Sequence, residues 1–217
     1  MSYDLCLFDL DGTLVDSKEG IIKSYQYALR AFKINKETKD LIKYIGKPLR
    51  NIFRENGVNE NDIEPVVSKF REYLTETGLY ECKDYQGISD LLLDLKIKIK
   101  TLAVVTIKVK LYATQTLEYF DLQQYFSYVA GDTMDGSLSK NGKRDLINIA
   151  LMKLDPGRHM KAVMIGDSKH DILGAKEAGI DSIGVLWGYS SHDELEQYQP
   201  THIVETISEL KYIILGK

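Results

Sequence analysis

Two aspartates, Asp9 and Asp11, stand two residues apart where an apolar run ends, and Gly12 follows them directly. The apolar run, residues 5–8, predicts a buried strand. Because a strand alternates its faces, both carboxylates would point the same way if the extended backbone continued, and the glycine permits a sharp turn. A carboxylate can attack phosphorus when a cation neutralises the phosphate, and a second acid can give and take a proton. The pair therefore indicates phosphoryl transfer, and solvated acids at a strand end are the alternative.

A second pair of acids, Asp167 and Asp171, follows the buried run 162–165. Asp171 also has a structural explanation, because Ser168 and Asp171 have the spacing of a capping box at a helix start. The carboxyl ends of parallel strands lie at one edge of a sheet, so all four acids are expected in one cleft. There they would raise one another's pKa unless a cation lay nearby. Since every candidate ligand is an oxygen, the sequence favours Mg²⁺.

Two further polar residues begin or end predicted elements. Thr106 follows the apolar run 102–105, and the alternative to a functional hydroxyl there is an ordinary β-branched residue at a strand end. Lys143 stands at the first turn of a predicted helix, where its charge opposes the helix dipole, so an anionic partner is expected nearby. Lys140 is the alternative source of a cation in this segment.

The elements that would position these residues alternate between strand and helix from about residue 88 onwards. Short apolar runs separated by amphipathic helices predict an α/β protein whose parallel sheet is covered on both faces. Residues 17–83 show helical patterns with no intervening strand, which indicates an inserted domain. We therefore predict one domain built from residues 1–16 and 84–217, and a helical domain over residues 17–83.

Composition limits the partners and the location of the protein. A formal net charge of −4 without a long basic run argues against binding to nucleic-acid polymers. Two distant cysteines, Cys6 and Cys82, fit a reducing compartment better than a disulfide framework. The N-terminal apolar stretch includes Asp4 and Asp9 and has no basic leader, so neither a signal peptide nor a membrane span is expected. We expect a cytoplasmic protein that is a monomer or a weak dimer.

The motifs taken together resemble a known family. The stretch 9–17, Thr106, Lys143 and the Gly166-Asp167-x-x-x-Asp171 pattern are similar to the four motifs of the haloacid dehalogenase (HAD) superfamily of phosphotransferases. Residues 174–189 and 45–49 look like its branch of bacterial phosphoglycolate phosphatases and 5′-nucleotidases. The resemblance covers essentially the whole chain. It implies a Rossmann-like core with the nucleophile strand at its centre and a helical cap inserted just after that strand.

The resemblance also implies a reaction in two steps. Asp9 would attack phosphorus while Asp11 protonates the leaving oxygen, and Asp11 would then activate water to hydrolyse the aspartyl-phosphate. Thr106 would bind the phosphate, and Lys143 would pair with the nucleophile and the transferring group.

Magnesium would be held by the acids of the first and fourth motifs. The resemblance implies direct ligation by Asp9 and Asp167, with the backbone carbonyl of Asp11 and, through water, Asp171. The metal would neutralise the substrate phosphate and hold it in line with Asp9.

Four residues are predicted to contact the substrate. Gly12 lies beside the acids, and Ile107 stands where the relatives usually carry Ser or Asn, so it offers the phosphate only its backbone N–H. Lys47 and Arg50 flank Pro48 in a loop of the inserted domain and would select an anionic leaving group. A solvated basic turn is the alternative for these two cations.

The sequence predicts a Mg²⁺-dependent phosphomonoesterase that acts on a small phosphorylated metabolite, with phosphoglycolate as the type substrate. Alternatives are a 5′-nucleotidase, a sugar-phosphate mutase and a phosphoacceptor module similar to a receiver domain. The Asp-x-Asp spacing and the large insertion speak against the receiver. A true dehalogenase would need neither a second acid at Asp11 nor a metal site at Asp167.

Overall fold

The computed structural model describes residues 3–216. They form two compact units, one made of residues up to Val15 together with those from Asp84 onwards, and the other made of Asp16–Lys83. Among residues 3–216, no helix has both the length and the apolar composition that a membrane span requires.

The secondary structure follows the predicted alternation. The strands in the described part of the chain are β1 (Leu5–Phe8), β2 (Val15–Asp16), β3 (Lys83–Asp84), β4 (Thr101–Val109), β5 (Tyr128–Asp132), β6 (Ala162–Gly166), β7 (Asp181–Val185) and β8 (His202–Val204). The helices are α1 (Lys18–Ala31), α2 (Thr38–Leu41), α3 (Leu49–Glu55), α4 (Ile63–Tyr73), α5 (Ile88–Lys98), α6 (Lys110–Tyr119), α7 (Lys143–Leu154), α8 (Lys169–Ala178), α9 (His192–Glu196) and α10 (Ile207–Leu215).

Six of these strands form one parallel sheet in the order β5-β4-β1-β6-β7-β8. Strand β1 therefore lies between β4 and β6, with Phe8 paired to Val104 on one side and to Ile165 on the other. The prediction of an α/β fold with a Rossmann-like parallel sheet is confirmed. The remaining strands, β2 and β3, pair with each other where the chain passes between the two units.

Strand β1 is apolar throughout because both faces of the sheet are covered. Cys6 and Phe8 belong to one hydrophobic cluster, which includes residues of α5 and α10. Leu5 and Leu7 belong to a second cluster, which includes residues of α7 and α8. A strand that is buried on both faces shows a continuous apolar run instead of alternation. The four residues that precede the first acids are thus fixed at the centre of the sheet.

The structure corrects the predicted end of the second core strand. That strand was expected to end at Thr106, whereas β4 continues to Val109, with a break in its pairing to β5 between Thr106 and Val109. Ile107 explains the extension, since its side chain packs against the cluster that contains Val105 and Ala130. An apolar anchor beyond the predicted end keeps the backbone extended.

The unit Asp16–Lys83 is helical apart from its terminal strand residues, and α1 packs against α4 and the wide turn Leu74–Gly78. Its core contains three aromatic rings, in which Tyr25 stacks on Phe70 at 4.9 Å and Phe53 meets Phe70 edge-on at 6.2 Å. Two helical segments of this unit, 38–44 and 63–78, change from α-helix to another kind of turn before they end. The first divides into α2 and the turn Ile42–Tyr44, and the second into α4 and the wide turn.

Candidate active site

The register of the sheet brings the predicted site residues to one edge. Asp9 follows the last residue of β1, and its backbone N–H donates to the carbonyl of Ile165 at 2.9 Å. Thr106 stands two positions beyond Val104, the partner of Phe8 in β4. Asp167 follows the end of β6. All three therefore lie level with the carboxyl end of the central strand β1, Thr106 within β4 and the two acids just past β1 and β6, which is the usual position of a ligand site in a parallel sheet.

The structure brings three of the four predicted acids into one buried cluster. Asp9, Asp167 and Asp171 are 7%, 2% and 1% exposed, and each offers an oxygen within 4.8 Å of the other two. Asp11 is less buried, and one of its oxygens accepts a hydrogen bond from outside this cluster, as described below.

Three glycines allow the backbone to approach the acids closely. A Cβ at Gly12, whose φ is +84°, would lie 2.3 Å from an Asp167 carboxylate oxygen, and one at Gly188 would lie 2.2 Å from the Asp167 Cβ. A Cβ at Gly166 would lie 2.1 Å from the carboxyl carbon of Asp171. Any larger residue would displace a carboxylate, so these positions define the shape of the acid cluster.

Lys143 is the cation of the cluster. It is the first residue of α7, and it is 3% exposed. Its Nζ lies 2.8 Å from Asp9 Oδ1 as an ion pair and donates a hydrogen bond to Asp171 Oδ1. The ion pair with Asp9 lacks hydrogen-bond geometry, so Asp9 Oδ1 is buried without a hydrogen-bond partner among residues 3–216. The alternative cation, Lys140, is exposed in the preceding loop.

Asp171 both caps the start of helix α8 and belongs to the buried acid cluster. Its Oδ2 accepts hydrogen bonds from the backbone N–H and the hydroxyl of Ser168, at 3.0 and 2.6 Å, which completes a capping box at the start of α8. Its Oδ1 accepts from Lys143. The cap fixes the carboxylate so that its other oxygen faces the lysine, and the two explanations that the sequence offered are compatible.

Asp167 is held by a loop that the sequence did not predict to take part. The backbone N–H of Tyr189 donates to Asp167 Oδ2 at 2.8 Å, and the hydroxyl of Thr13 lies 3.5 Å from Oδ1. The indole N–H of Trp187 donates to the carbonyl of Thr13 at 3.1 Å. The segment after β7 therefore orients both Asp167 and the loop that follows β1.

Burial dominates the electrostatics of the cluster. It raises the pKa of Asp9 to about 7, although the Lys143 ammonium opposes this rise. Burial, and then the charges of Asp171 and Asp9, also raise the pKa of Asp167 well above its usual range. Burial by itself lowers the pKa of Lys143, but the carboxylates of Asp171 and Asp9 outweigh it and hold that pKa above its usual range. The acids are thus poorly compensated by the protein alone.

Sequence reasoning noted the register of Lys108 with Thr106 but gave this second lysine no role of its own. Lys108 Nζ donates to Asp11 Oδ1 at 2.8 Å, and the Lys108 side chain is only 9% exposed. Its backbone N–H donates to the hydroxyl of Thr106 at 3.2 Å. The signal was the spacing of two between Thr106 and Lys108, which puts both side chains on one face of a strand if that strand continues. Together, two ammonium groups face four carboxylates, an excess of two negative charges when all are ionised.

The remaining predicted residues are placed as follows. The Ile107 side chain is partly buried and packs against the hydrophobic cluster that contains Val105. Lys47 and Arg50 belong to the helical unit, where Lys47 lies 3.7 Å from Glu55 and Arg50 hydrogen-bonds both carboxylate oxygens of Glu64, at 2.6 and 3.0 Å. Their role in substrate selection stays a prediction.

Comparison with known proteins identifies the family. Residues 6–185 match the model of the haloacid dehalogenase-like hydrolases. A 5′-nucleotidase of Pseudomonas aeruginosa is 36% identical over 216 residues, which cover 99% of this chain and 96% of that protein. A crystal structure described as a predicted phosphatase from Clostridium acetobutylicum is 38% identical with a TM-score of 0.92, and both chains are covered completely. A haloacid dehalogenase-like family protein from Streptococcus pneumoniae is 30% identical with a TM-score of 0.86, and 96% of each chain is covered.

The chain therefore belongs to the haloacid dehalogenase-like hydrolases. The expected resemblance to the phosphatase branch of that family, and the expectation of an enzyme of the HAD phosphatase type, are confirmed by these relatives.

Proposed function

We propose that this protein is a Mg²⁺-dependent phosphomonoester hydrolase that works through an aspartyl-phosphate formed on Asp9. The proposal rests on the burial of Asp9 and on the charged groups around it. Its Oδ1 is buried, paired with the Lys143 ammonium and without a hydrogen-bond donor, and the carboxylate lies against those of Asp167 and Asp171. Three adjoining buried carboxylates with one ammonium among them are costly to bury unless a further cation or a reacting group uses them.

The residues present fit a magnesium ion. The cluster offers only oxygen ligands, it carries an excess of negative charge, and the buried Asp9 oxygen lacks a donor. Asp9 and Asp167 would hold the metal directly, with the backbone carbonyl of Asp11 and, through water, Asp171. When bound, Mg²⁺ supplies positive charge that neutralises the phosphate of the substrate.

The chain's own residues can then perform two displacements at phosphorus. An oxygen of Asp9 bonds to phosphorus, the bond from phosphorus to the ester oxygen breaks, and Asp11 donates a proton to that oxygen. In the second step Asp11 takes a proton from water while the water oxygen bonds to phosphorus, and the bond to Asp9 breaks. Inorganic phosphate leaves, and both acids return to their starting states. The Thr106 hydroxyl and the Lys143 ammonium would bind phosphate oxygens in both steps.

The substrate is proposed to be a small phosphorylated metabolite. The 5′-nucleotidase relative favours nucleoside monophosphates over phosphoglycolate, because it is similar over nearly the whole of both chains. Lys47 and Arg50 are the proposed selectors of the leaving group. We also propose that the enzyme works in the cytoplasm, as a monomer or a weak dimer, with Cys6 and Cys82 as the free thiols that the structure shows.

The decisive experiment is acid quenching of enzyme mixed with p-nitrophenyl phosphate and Mg²⁺, followed by intact-mass measurement. The wild type should carry a transient phosphoryl adduct, and Asp9→Asn should carry none. Asp11→Asn should still form the adduct, since p-nitrophenolate leaves without a proton, and should lose it slowly. Asp193→Asn, which alters an exposed acid, is the matched control. An adduct on Asp9→Asn would refute the nucleophile, and full turnover in excess EDTA would refute the metal.

A substrate panel completes the test. Nucleoside monophosphates, phosphoglycolate and sugar phosphates are compared by kcat/KM under identical conditions. Preference for a nucleoside monophosphate supports the proposed substrate class, and preference for phosphoglycolate overturns it while leaving the reaction type intact.

A further inference from the structure

Lys108 is a charged residue at the sheet edge that the proposed reaction does not yet use. Its ammonium hydrogen-bonds Asp11 Oδ1 at 2.8 Å, and the two side chains are only 9% and 14% exposed. Asp11 is the residue proposed to move protons in both steps. The contact therefore joins a largely buried cation to the proton-transferring acid.

The fold explains why Lys108 reaches this position. Strand β4 continues past Thr106, and the Ile107 side chain is anchored in the hydrophobic cluster on one face of the sheet. Because side chains alternate along a strand, the neighbours of Ile107 project from the opposite face. The Lys108 N–H also donates to Thr106 Oγ1, which fixes the local backbone. Ile107 thus offers no side-chain donor to a phosphate, but it orients the two residues on either side of it.

The contact differs from an ordinary surface ion pair. Exposed pairs are screened by water and hold neither partner firmly. In a largely buried pair, removal of one partner leaves the other charge uncompensated, so the remaining side chain changes its position or its solvation. Loss of the Lys108 ammonium should therefore remove one of the contacts that keep Asp11 in the orientation that the structure shows.

We propose that Lys108 is a positioning residue that holds the Asp11 carboxylate in the orientation for proton transfer. This inference rests on the proposed role of Asp11 as the acid and base of the reaction. It has two consequences. Proton donation to a poor leaving group should depend on Lys108, and so should the activation of water that hydrolyses the phosphoenzyme. Attack by Asp9 on an ester with a good leaving group should depend on it much less.

The first test compares Lys108→Met with the wild type on an alkyl phosphate and on p-nitrophenyl phosphate. We expect the single-turnover rate of phosphoenzyme formation to fall about 10²-fold or more with the alkyl ester and only slightly with the aryl ester, because general acid catalysis is needed only by the former. The acid-quenched adduct should accumulate during turnover of the aryl ester. Equal losses on both esters, with no accumulation, would overturn the proposal.

Two control variants test whether the effect of Lys108→Met comes from the position of the ammonium and not from the loss of any nearby positive charge. Lys110→Met removes the same charge two residues away, where the ammonium lies 5.3 Å from the centre of the Tyr128 ring, and it should leave the leaving-group dependence unchanged. Lys108→Arg keeps a cationic donor and should restore part of the alkyl phosphate activity. If Lys108→Met does not fold, Lys108→Gln, which keeps a neutral donor, replaces it with the same expected pattern.

The double variant separates this inference from the proposed function. If Lys108 acts through Asp11, then Lys108→Met should cost nothing further in an Asp11→Asn background. A multiplicative loss would show that Lys108 acts directly on the phosphate, and it would overturn the positioning role. If Asp11→Asn shows leaving-group dependence and Lys108→Met does not, only the inference fails. If Asp11→Asn itself shows none, the proposed role of Asp11 fails first.

Discussion

The two units of this protein use charge in opposite ways. At the sheet edge, Lys143 and Lys108 are nearly buried and pair with acids distant in sequence, and Lys108 and Asp11 are 97 positions apart. In the helical unit the ion pairs are more exposed, and most of them join residues close in sequence, such as Arg54 with Glu60 six residues later.

The difference follows from what each arrangement costs. Buried charges lose hydration, and that loss is offset only by close partners, so the retention of several of them at one place points to a functional site. Exposed pairs cost little and contribute little. The sheet edge is therefore the region where single charge changes should have large effects, and the helical unit is the region where they should be tolerated.

The largest effect on stability is expected at Lys143. Lys143→Met leaves the carboxylates of Asp9 and Asp171 buried without their cation, which should lower the free energy of unfolding by about 3 to 5 kcal/mol. Urea denaturation in EDTA at neutral pH measures it. Lys140→Met removes an exposed lysine from the same segment and should change little. Equal stability of the two variants would show that the buried acids neutralise themselves by protonation.

Magnesium should stabilise the fold through the same acids. At 100 times its Kd, the ion should add about 2.7 kcal/mol to the free energy of unfolding, because it binds the folded state. Asp167→Asn should lose most of this increment, and Asp193→Asn should retain it. Denaturation with and without Mg²⁺ gives the answer without any activity assay, and an increment that survives Asp167→Asn would place the ion elsewhere.

A smaller effect is expected at Ile107. Ile107→Ser removes an apolar side chain that packs against the core cluster, which should cost about 1 to 2 kcal/mol of folding free energy. The KM for p-nitrophenyl phosphate should not fall, since a hydroxyl there faces the core and not the phosphate. Ile107→Val is the conservative control. A lower KM in the serine variant would mean that the loop turns residue 107 towards the substrate.

The smallest effect on stability is expected at the two cations of the helical unit. Replacing both Lys47 and Arg50 by alanine removes exposed pairs with Glu55 and Glu64, so the melting temperature should barely change. If these cations select the leaving group, kcat/KM for the preferred metabolite should fall while that for p-nitrophenyl phosphate is spared. An equal fall in kcat/KM for both substrates would show that these two cations do not select the leaving group. Arg54→Ala, in the same unit, controls for charge.

Much of the core could be predicted from the sequence because its signals are local. Continuous apolar runs indicate strands that are buried on both faces. The residues that directly follow those runs must lie at the same edge of a parallel sheet. Asp9 and Asp167 follow this rule directly. The end of β4 did not follow it, because the packing that extends the strand depends on a cluster formed by residues from other elements.

The sequence by itself determined the α/β class and the candidate acids at the end of the first strand, since each depends on residue type and short spacing, whereas the central position of that strand was implied only by the family resemblance. Only the tertiary structure decided which partners those acids have. Lys108 reaches Asp11, Tyr189 donates to Asp167, and one carboxylate of Asp171 both caps a helix and binds Lys143. These contacts join segments far apart in the chain, and their geometry depends on the register between strands and the close approach at the glycines. The order of the residues alone specifies neither the register between the strands nor the close approach at the glycines.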